Sequence, residues 1–358
     1  MSGLSLRWWP YRLALRRPLR SASGCILERR GFVLELRAAD GARGFGDVAV
    51  WPGTESTTLP DARAWLDAFA APDWLQCERT LWSALERLPA STAGARAARA
   101  AVETALLDLG ARRSGIPLAR ALDAAAGSAV AVNALIGVAE VEETVALARA
   151  AVAAGFETVK LKVRIEPSDA ERIAAVRAAI GPTVRIRLDA NGLASVAQAR
   201  AFAQAVAPVG IEYLEQPVAT LEELAELRRC SPVPVAADEV LTGPEAVQRA
   251  LDREAVDALV LKLPVLGGPL RLLQAAERAA QRGVEVIVSS VIESGIGLAA
   301  ALHTAAALPA SGQAHGLATA GILVTTGIAQ RLTPVGGIVT LPEGSGLGVE
   351  WEEGQANG

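Results

Sequence analysis

Several features that would settle the class of this chain at once are missing from it. It has three cysteines, Cys25, Cys77 and Cys230, scattered and without metal-ligand spacing. They exclude a disulfide framework or a zinc knuckle and read as reduced cytosolic thiols. No apolar run reaches the roughly 18 residues a membrane helix needs. The first twenty residues mix Trp8, Trp9 and Pro10 with five arginines and show no apolar stretch ahead of a cleavage signature, which argues against a secretory signal. Arginines 12, 16, 17 and 20 come nearest to a basic cluster and read as solvated positions. With a formal charge of −4 and no basic block interleaved with aromatics, nucleic acid is not an expected partner. No Gly-x-Gly-x-x-Gly opens a helix after the first strand, so a dinucleotide-binding sheet is disfavoured.

What is present is size and a repeat. At 358 residues the chain exceeds a single simple core, and its 51% hydrophobic content is largely alanine, which suits packed helices. From about residue 130 short β-branched runs alternate with alanine-rich amphipathic stretches. The runs are Val130–Ile136, Thr158–Val163, Val184–Asp189, Ile211–Glu215, Val233–Ala237, Ala258–Lys262 and Val284–Ser289, with a weak eighth near Ala314–Leu317. Successive βα units predict an α/β fold with a closed (β/α)₈ barrel over 129–326. Residues 1–128 differ: Leu4–Leu15, Gly31–Leu36 and Gly44–Val50 read as antiparallel strands, with helices over Asp61–Phe69 and Arg96–Arg113. These predict an N-terminal α+β capping domain, completed by a returning tail over 327–358.

Ionisable residues punctuate the strand ends. Lys160 and Lys162 share one strand face, since alternate residues point the same way. Two buried like charges push each other's pKa down, and a lysine partly neutral near pH 7 is a usable base. Asp189 follows Lys162 by 27 residues, Glu215 by another 26, Asp238 by another 23 and Lys262 by another 24, one βα unit per step. In such a barrel the active site lies at the carboxyl ends of the strands. Three carboxylates, Asp189, Glu215 and Asp238, are expected to converge on one point there. Unpaired they would raise each other's pKa, so they call for a cation. All-oxygen ligands suit Mg²⁺ or Mn²⁺, whereas softer metals would want His or Cys.

If the Lys160/Lys162 strand is second and the Lys262 strand sixth in a ring of eight, the lysines face each other across the mouth. A metal stabilises the enediolate formed when a proton beside a carboxylate is removed, and a lysine can take that proton. The site is expected to perform α-proton abstraction on a small-molecule carboxylate.

These residues resemble the enolase superfamily and, within it, the muconate-lactonizing subgroup: Lys160-Leu-Lys162, Asp189-Ala-Asn191, Glu215-Gln-Pro217, Ala237-Asp-Glu239 and Lys262. Gly44–Gly53 resembles the capping-domain loop, and Val102–Leu109 its helical segment. The Gly44-Phe-Gly-Asp47 loop and Ser289–Gly297 are most similar to the o-succinylbenzoate synthases. That resemblance implies a hydro-lyase of menaquinone biosynthesis performing metal-assisted syn dehydration of 2-succinyl-6-hydroxy-2,4-cyclohexadiene-1-carboxylate, in the cytoplasm, as a monomer or homo-oligomer. It gives Lys162 the proton abstraction and the protonation of the departing hydroxyl, Lys262 an electrostatic role from the far face, and Lys160 the tuning of Lys162. It has Asn191 and Glu239 hold ligands or lysines in place, and brings Ser289, Ser290 and Glu293 near the substrate carboxylates.

Asp47 stands where relatives often carry Glu. His315-Gly-Leu-Ala-Thr-Ala-Gly321 lacks the Asp-x-Asp of dipeptide epimerases, and Val265 replaces the arginine common in N-acylamino acid racemases. Both absences favour dehydration over those two alternatives. A Schiff-base aldolase would leave the three acids without a purpose, and a barrel that kept its fold but lost catalysis would lack a ligand or a lysine, of which none is missing. Substrate choice is expected to lie in capping loops near 16–24 and 47–56.

Overall fold

A computed structural model describes residues 3–21, 24–70, 74–324 and 327–352. The chain opens with three antiparallel strands, β1 (Leu4–Ser21), β2 (Gly24–Ala38) and β3 (Arg43–Ala49), followed by helices α1 (Glu55–Phe69), α2 (Glu78–Arg87), α3 (Ala93–Arg113) and α4 (Leu118–Leu122). Alternation builds this layer: Leu34, Leu36 and Val48 are buried against Leu66, Phe69, Val102 and Leu109 of the helices. α3 crosses β3 so closely that a Cβ at Gly44 or Gly46 would lie 2.0 Å from the Ala105 or Ala101 carbonyl oxygen. The helix begins where the Thr92 hydroxyl accepts the Ala95 N–H at 3.1 Å, a side-chain cap.

After β4 (Ala129–Ala131) comes a parallel sheet of seven: β5 (Ala134–Ile136), β6 (Thr158–Lys162), β7 (Arg185–Asp189), β8 (Tyr213–Glu215), β9 (Val235–Ala237), β10 (Ala258–Leu261) and β11 (Glu285–Val288). Helices α5 (Val141–Ala153), α6 (Pro167–Ile180), α7 (Val196–Val206), α8 (Leu221–Arg228) and α9 (Pro244–Asp252) alternate with them. The short α10 (Leu263–Leu266) precedes α11 (Pro269–Ala280), and α12 (Gly295–Ala306) follows β11. Capping boxes Ser195/Gln198 and Thr220/Glu223 start α7 and α8, and proline opens α6, α9 and α11. The interior of the curled sheet is filled by Tyr213, Ala236, Ala258, Val260 and Ile287.

The enolase-like architecture is the expected one, with two local differences. Val130–Ile136 is not one strand. Its first part, β4, pairs antiparallel with β12 (Ile338–Thr340) of the tail, after a short α13 (Ile328–Arg331), and only Ala134–Ile136 joins β6. The eighth position is too short for a ladder. Residues 314–317 bridge Val132 to His315 on one side and Ser289 to Gly316 on the other. The tail also reaches the first domain, where Trp351 lies 4.8 Å from Trp9. The three cysteines are free, and among the described residues no helix is long and apolar enough to cross a membrane.

Candidate active site

The register of the sheet aligns the charges. Lys162 lies opposite Asp189, and Asp189 opposite Glu215, so these three share one row across β6, β7 and β8. Lys160 points to the same side one step lower. Its Nζ lies 2.8 Å from Asp189 Oδ2 and 2.6 Å from Glu215 Oε1, while Lys162 Nζ lies 2.7 Å from the same Asp189 oxygen. One carboxylate oxygen thus holds both ammonium groups. Lys262 directly follows β10, four strands from β6 in sheet order, and pairs with Asp238. Asp238 and Lys262 are both buried.

The three acids line adjacent strand ends, but they do not close around one point as placed. Among the described residues no three His, Cys, Asp or Glu side chains stand close enough to share an ion. The ammonium groups lie between them. Lys160 takes Asp189 and Glu215, and Lys262 takes Asp238. The expected fall in lysine pKa is reversed at Lys160 for the same reason. Burial opposes the Lys160 charge, but Asp189 and Glu215 hold it well above its ordinary value. Burial also works to raise Asp189, yet the two lysines keep its carboxyl below the usual range. Glu215 is pushed up to about 8 by burial, reinforced by the Asp189 charge. Its Oε2 is buried without any partner, as is Oε2 of Glu239. The acids therefore have more oxygen lone pairs than the lysines satisfy. A hard divalent cation fits that donor set.

Asn191 connects the two sides. Its Oδ1 accepts from Lys162 at 2.9 Å and its Nδ2 donates to Glu239 Oε1 at 2.7 Å. The backbone at Asn191 is left-handed, φ 51°, which asparagine tolerates better than most residues. Arg172, paired with Asp169 at 2.6 Å, donates to the Lys162 carbonyl at 2.7 Å and so braces the end of β6.

Two uncharged residues inside the motifs, Gln216 and Trp51, also take part. Gln216, φ 40° and buried, accepts from the Asp238 N–H at 2.9 Å and donates to the Val218 carbonyl at 2.7 Å. It fixes the β9 end to the β8 end. Trp51, just after β3, lies under Lys262, with Nζ 4.6 Å from the ring centroid, a cation–π distance. A third participant had no sequence signal beyond its place in a strand. Arg187, fully buried, stacks 4.9 Å from Tyr213 and donates to Gln313 Oε1 at 2.9 Å and the Ala314 carbonyl at 2.5 Å.

The polar groups of the turn after β11 bond to one another. Ser290 Oγ donates to Glu293 Oε2 at 2.7 Å, and the Val291 N–H donates to the same oxygen at 2.7 Å. Glu293 thus closes its own turn, with Arg29 and Asp47 of the first domain as its charged neighbours. Ser289 packs against Gly316, where a Cβ would sit 2.6 Å from its hydroxyl. Asp47, pushed up to about 6 by burial, accepts from the Ser294 N–H at 2.8 Å and locks β3 to α12. Of the capping segments, residues 16–21 end β1 and 47–49 end β3. Residues 22–23 lie outside the described residues.

A curled parallel sheet with a lysine and carboxylate rim at its carboxyl ends, covered by an antiparallel layer, defines a barrel-type enzyme. The chain belongs to the enolase superfamily, since residues 143–355 match the enolase C-terminal domain-like family and residues 7–122 match the mandelate racemase / muconate lactonizing enzyme N-terminal domain. It is 42% identical over 186 residues to the o-succinylbenzoate synthase of Thermobifida fusca, which is 51% of this chain and 58% of that protein. The chain thus spans little more than half the length of that curated relative. A dipeptide epimerase from Methylococcus capsulatus, solved with Mg and L-Arg-D-Lys, is 30% identical over 98% of this chain and all of its own, with a TM-score of 0.84. Muconate lactonizing enzyme from Pseudomonas fluorescens shares the fold at a TM-score of 0.88 and 22% identity, covering 99% of this chain and 98% of its own.

Proposed function

We propose that the protein is an o-succinylbenzoate synthase, a cytoplasmic dehydratase of menaquinone biosynthesis, with residues 1–128 and the tail from 327 forming a cap over the barrel of 129–326. The observation that carries it is the placement of Lys162 and Lys262 four strands apart with Asp189, Glu215 and Asp238 on the strands between. The similarity to named synthases supports the choice within the superfamily.

Asp189, Glu215 and Asp238 would hold Mg²⁺ or Mn²⁺, the orphaned Glu215 oxygen being the group most in need of it. Bound there, the cation would supply counter-charge to the substrate carboxylate as its neighbouring carbon loses a proton. With the acids so occupied, Lys162 would be free to act as the base. Lys162 Nζ takes the proton from C1 of the cyclohexadiene. The C6–O bond then breaks, the same proton leaves with the hydroxyl as water, and the ring becomes aromatic. Asn191 aims Lys162, with Glu239 behind it. Lys160 shares the Asp189 oxygen and fixes its position. Lys262, resting on Trp51, adds positive charge from the opposite face.

The test is turnover of 2-succinyl-6-hydroxy-2,4-cyclohexadiene-1-carboxylate with Mg²⁺, by the unmodified protein and by Lys162→Ala. No turnover by the unmodified protein would sink the proposal. A racemase or epimerase is the second reading, favoured by the full-length similarity to a dipeptide epimerase. Deuterium entering the α-carbon of an N-succinyl amino acid as fast as the dehydration runs would put it first.

A further inference from the structure

A cavity of about 310 Å³ lies between the first domain and the barrel. Trp51 borders both this cavity and the recess that contains Asp238 and Lys262. Glu239, tied to Lys162 through Asn191, also borders it, so the cavity adjoins the reacting rim. Its walls are otherwise mostly apolar, with Val50 and Val265 among them, and among the described residues its one cation is Arg96 in the first turn of α3. The Arg96 guanidinium is underused. Nη1 donates to the Ser91 carbonyl at 2.6 Å, Nε is buried with no acceptor, and Nη2 has no hydrogen bond among the described residues. One turn along, Arg99 is by contrast committed to Glu103 at 2.7 Å and to the Gly267 carbonyl.

We propose that this cavity is a carboxylate subsite, taking the carboxylate-ended arm of a substrate that reacts between Lys162 and Lys262, with Arg96 receiving the arm's carboxylate. The inference rests on the dicarboxylate substrate of the proposed function. Methylene groups suit the apolar walls, and a half-buried guanidinium whose buried Nε has no acceptor is met by an anion. A neutral arm would leave that need unmet, and an ammonium-ended arm would face a like charge.

The experiment is calorimetric binding of o-succinylbenzoate in Mg²⁺, beside its methyl ester on the arm carboxylate. Unmodified protein, Arg96→Met, Arg96→Lys and Ala93→Phe are compared. Arg96→Met is expected to weaken the diacid about 10–100-fold, the range of a charge-assisted contact, and to leave the weaker ester binding unchanged. The ester serves as its folding control. Arg96→Lys recovers part of the loss, and Ala93→Phe, which fills the cavity, weakens both ligands. In turnover the loss falls on KM and spares kcat. Diacid binding by Arg96→Met equal to that of the unmodified protein, or equal loss of diacid and ester, overturns the subsite while the dehydratase stands. If the unmodified protein fails to turn over the cyclohexadiene, the dehydratase reading falls. The same Arg96 comparison with an N-succinyl amino acid then decides the subsite separately.

Discussion

One of the chain's two histidines predicts a specific acid sensitivity. His303 in α12 is fully buried, its Nδ1 accepts the Ala119 N–H at 3.1 Å, and its Nε2 lies 3.2 Å from the Leu347 carbonyl. Only the neutral ring with the proton on Nε2 satisfies both. Burial lowers its pKa to about 4, while the unfolded chain titrates at about 6.5. Between those values the unfolded state binds more protons, so stability is full above pH 6.5 and is lost as pH falls toward 4. Two and a half pH units of separation correspond to about 3 kcal/mol, a large share of a typical folding free energy. Denaturant melts at pH 7.5, 6 and 5 would show it, compared with His303→Asn. The asparagine retains an acceptor for Ala119 but cannot titrate. It should cost about 1–2 kcal/mol at pH 7.5 for the lost Leu347 contact, and this gap should shrink and then reverse as the pH falls. A constant gap across the series would refute the buried neutral histidine.

Gly297→Ala would place a Cβ 2.6 Å from Asp47 Oδ2, and should lower the stability of the cap-to-barrel contact by about 1–3 kcal/mol in thermal melts. Trp51→Ala removes the ring beneath Lys262 and should reduce kcat/KM for the cyclohexadiene about tenfold, in line with a desolvated cation–π contact. Exhaustive chelation should abolish turnover, with Mg²⁺ or Mn²⁺ restoring it, and Lys162→Ala should stay inactive by about 10²–10⁴-fold in either metal.

The strand ends were readable because each pairs a β-branched run with a charge that has no ordinary place in a core. Lys162, Asp189 and Glu215 fall in one row for that reason. Interiors were less readable. Arg187 alternates with Ile186 and Leu188 like a residue on a solvent face, and alternation cannot distinguish water from the inside of a curled sheet. α1 begins six residues earlier than its apolar pattern, at Glu55, and runs through Pro60, a residue that in sequence marks a helix start or break but here lies inside the helix. The charge state of Lys160 depended on which acids would surround it, a three-dimensional fact that two lysines in sequence cannot convey. Val130–Ile136 looked continuous because its break is set by a partner strand near the other end of the chain.

That partner strand bears on how the molecule is made. Ala131 finds Ile338 only after the intervening barrel has been synthesised, so β4 must wait on the ribosome with its ladder unfilled. The register of β4 is therefore among the last parts of the protein to become native.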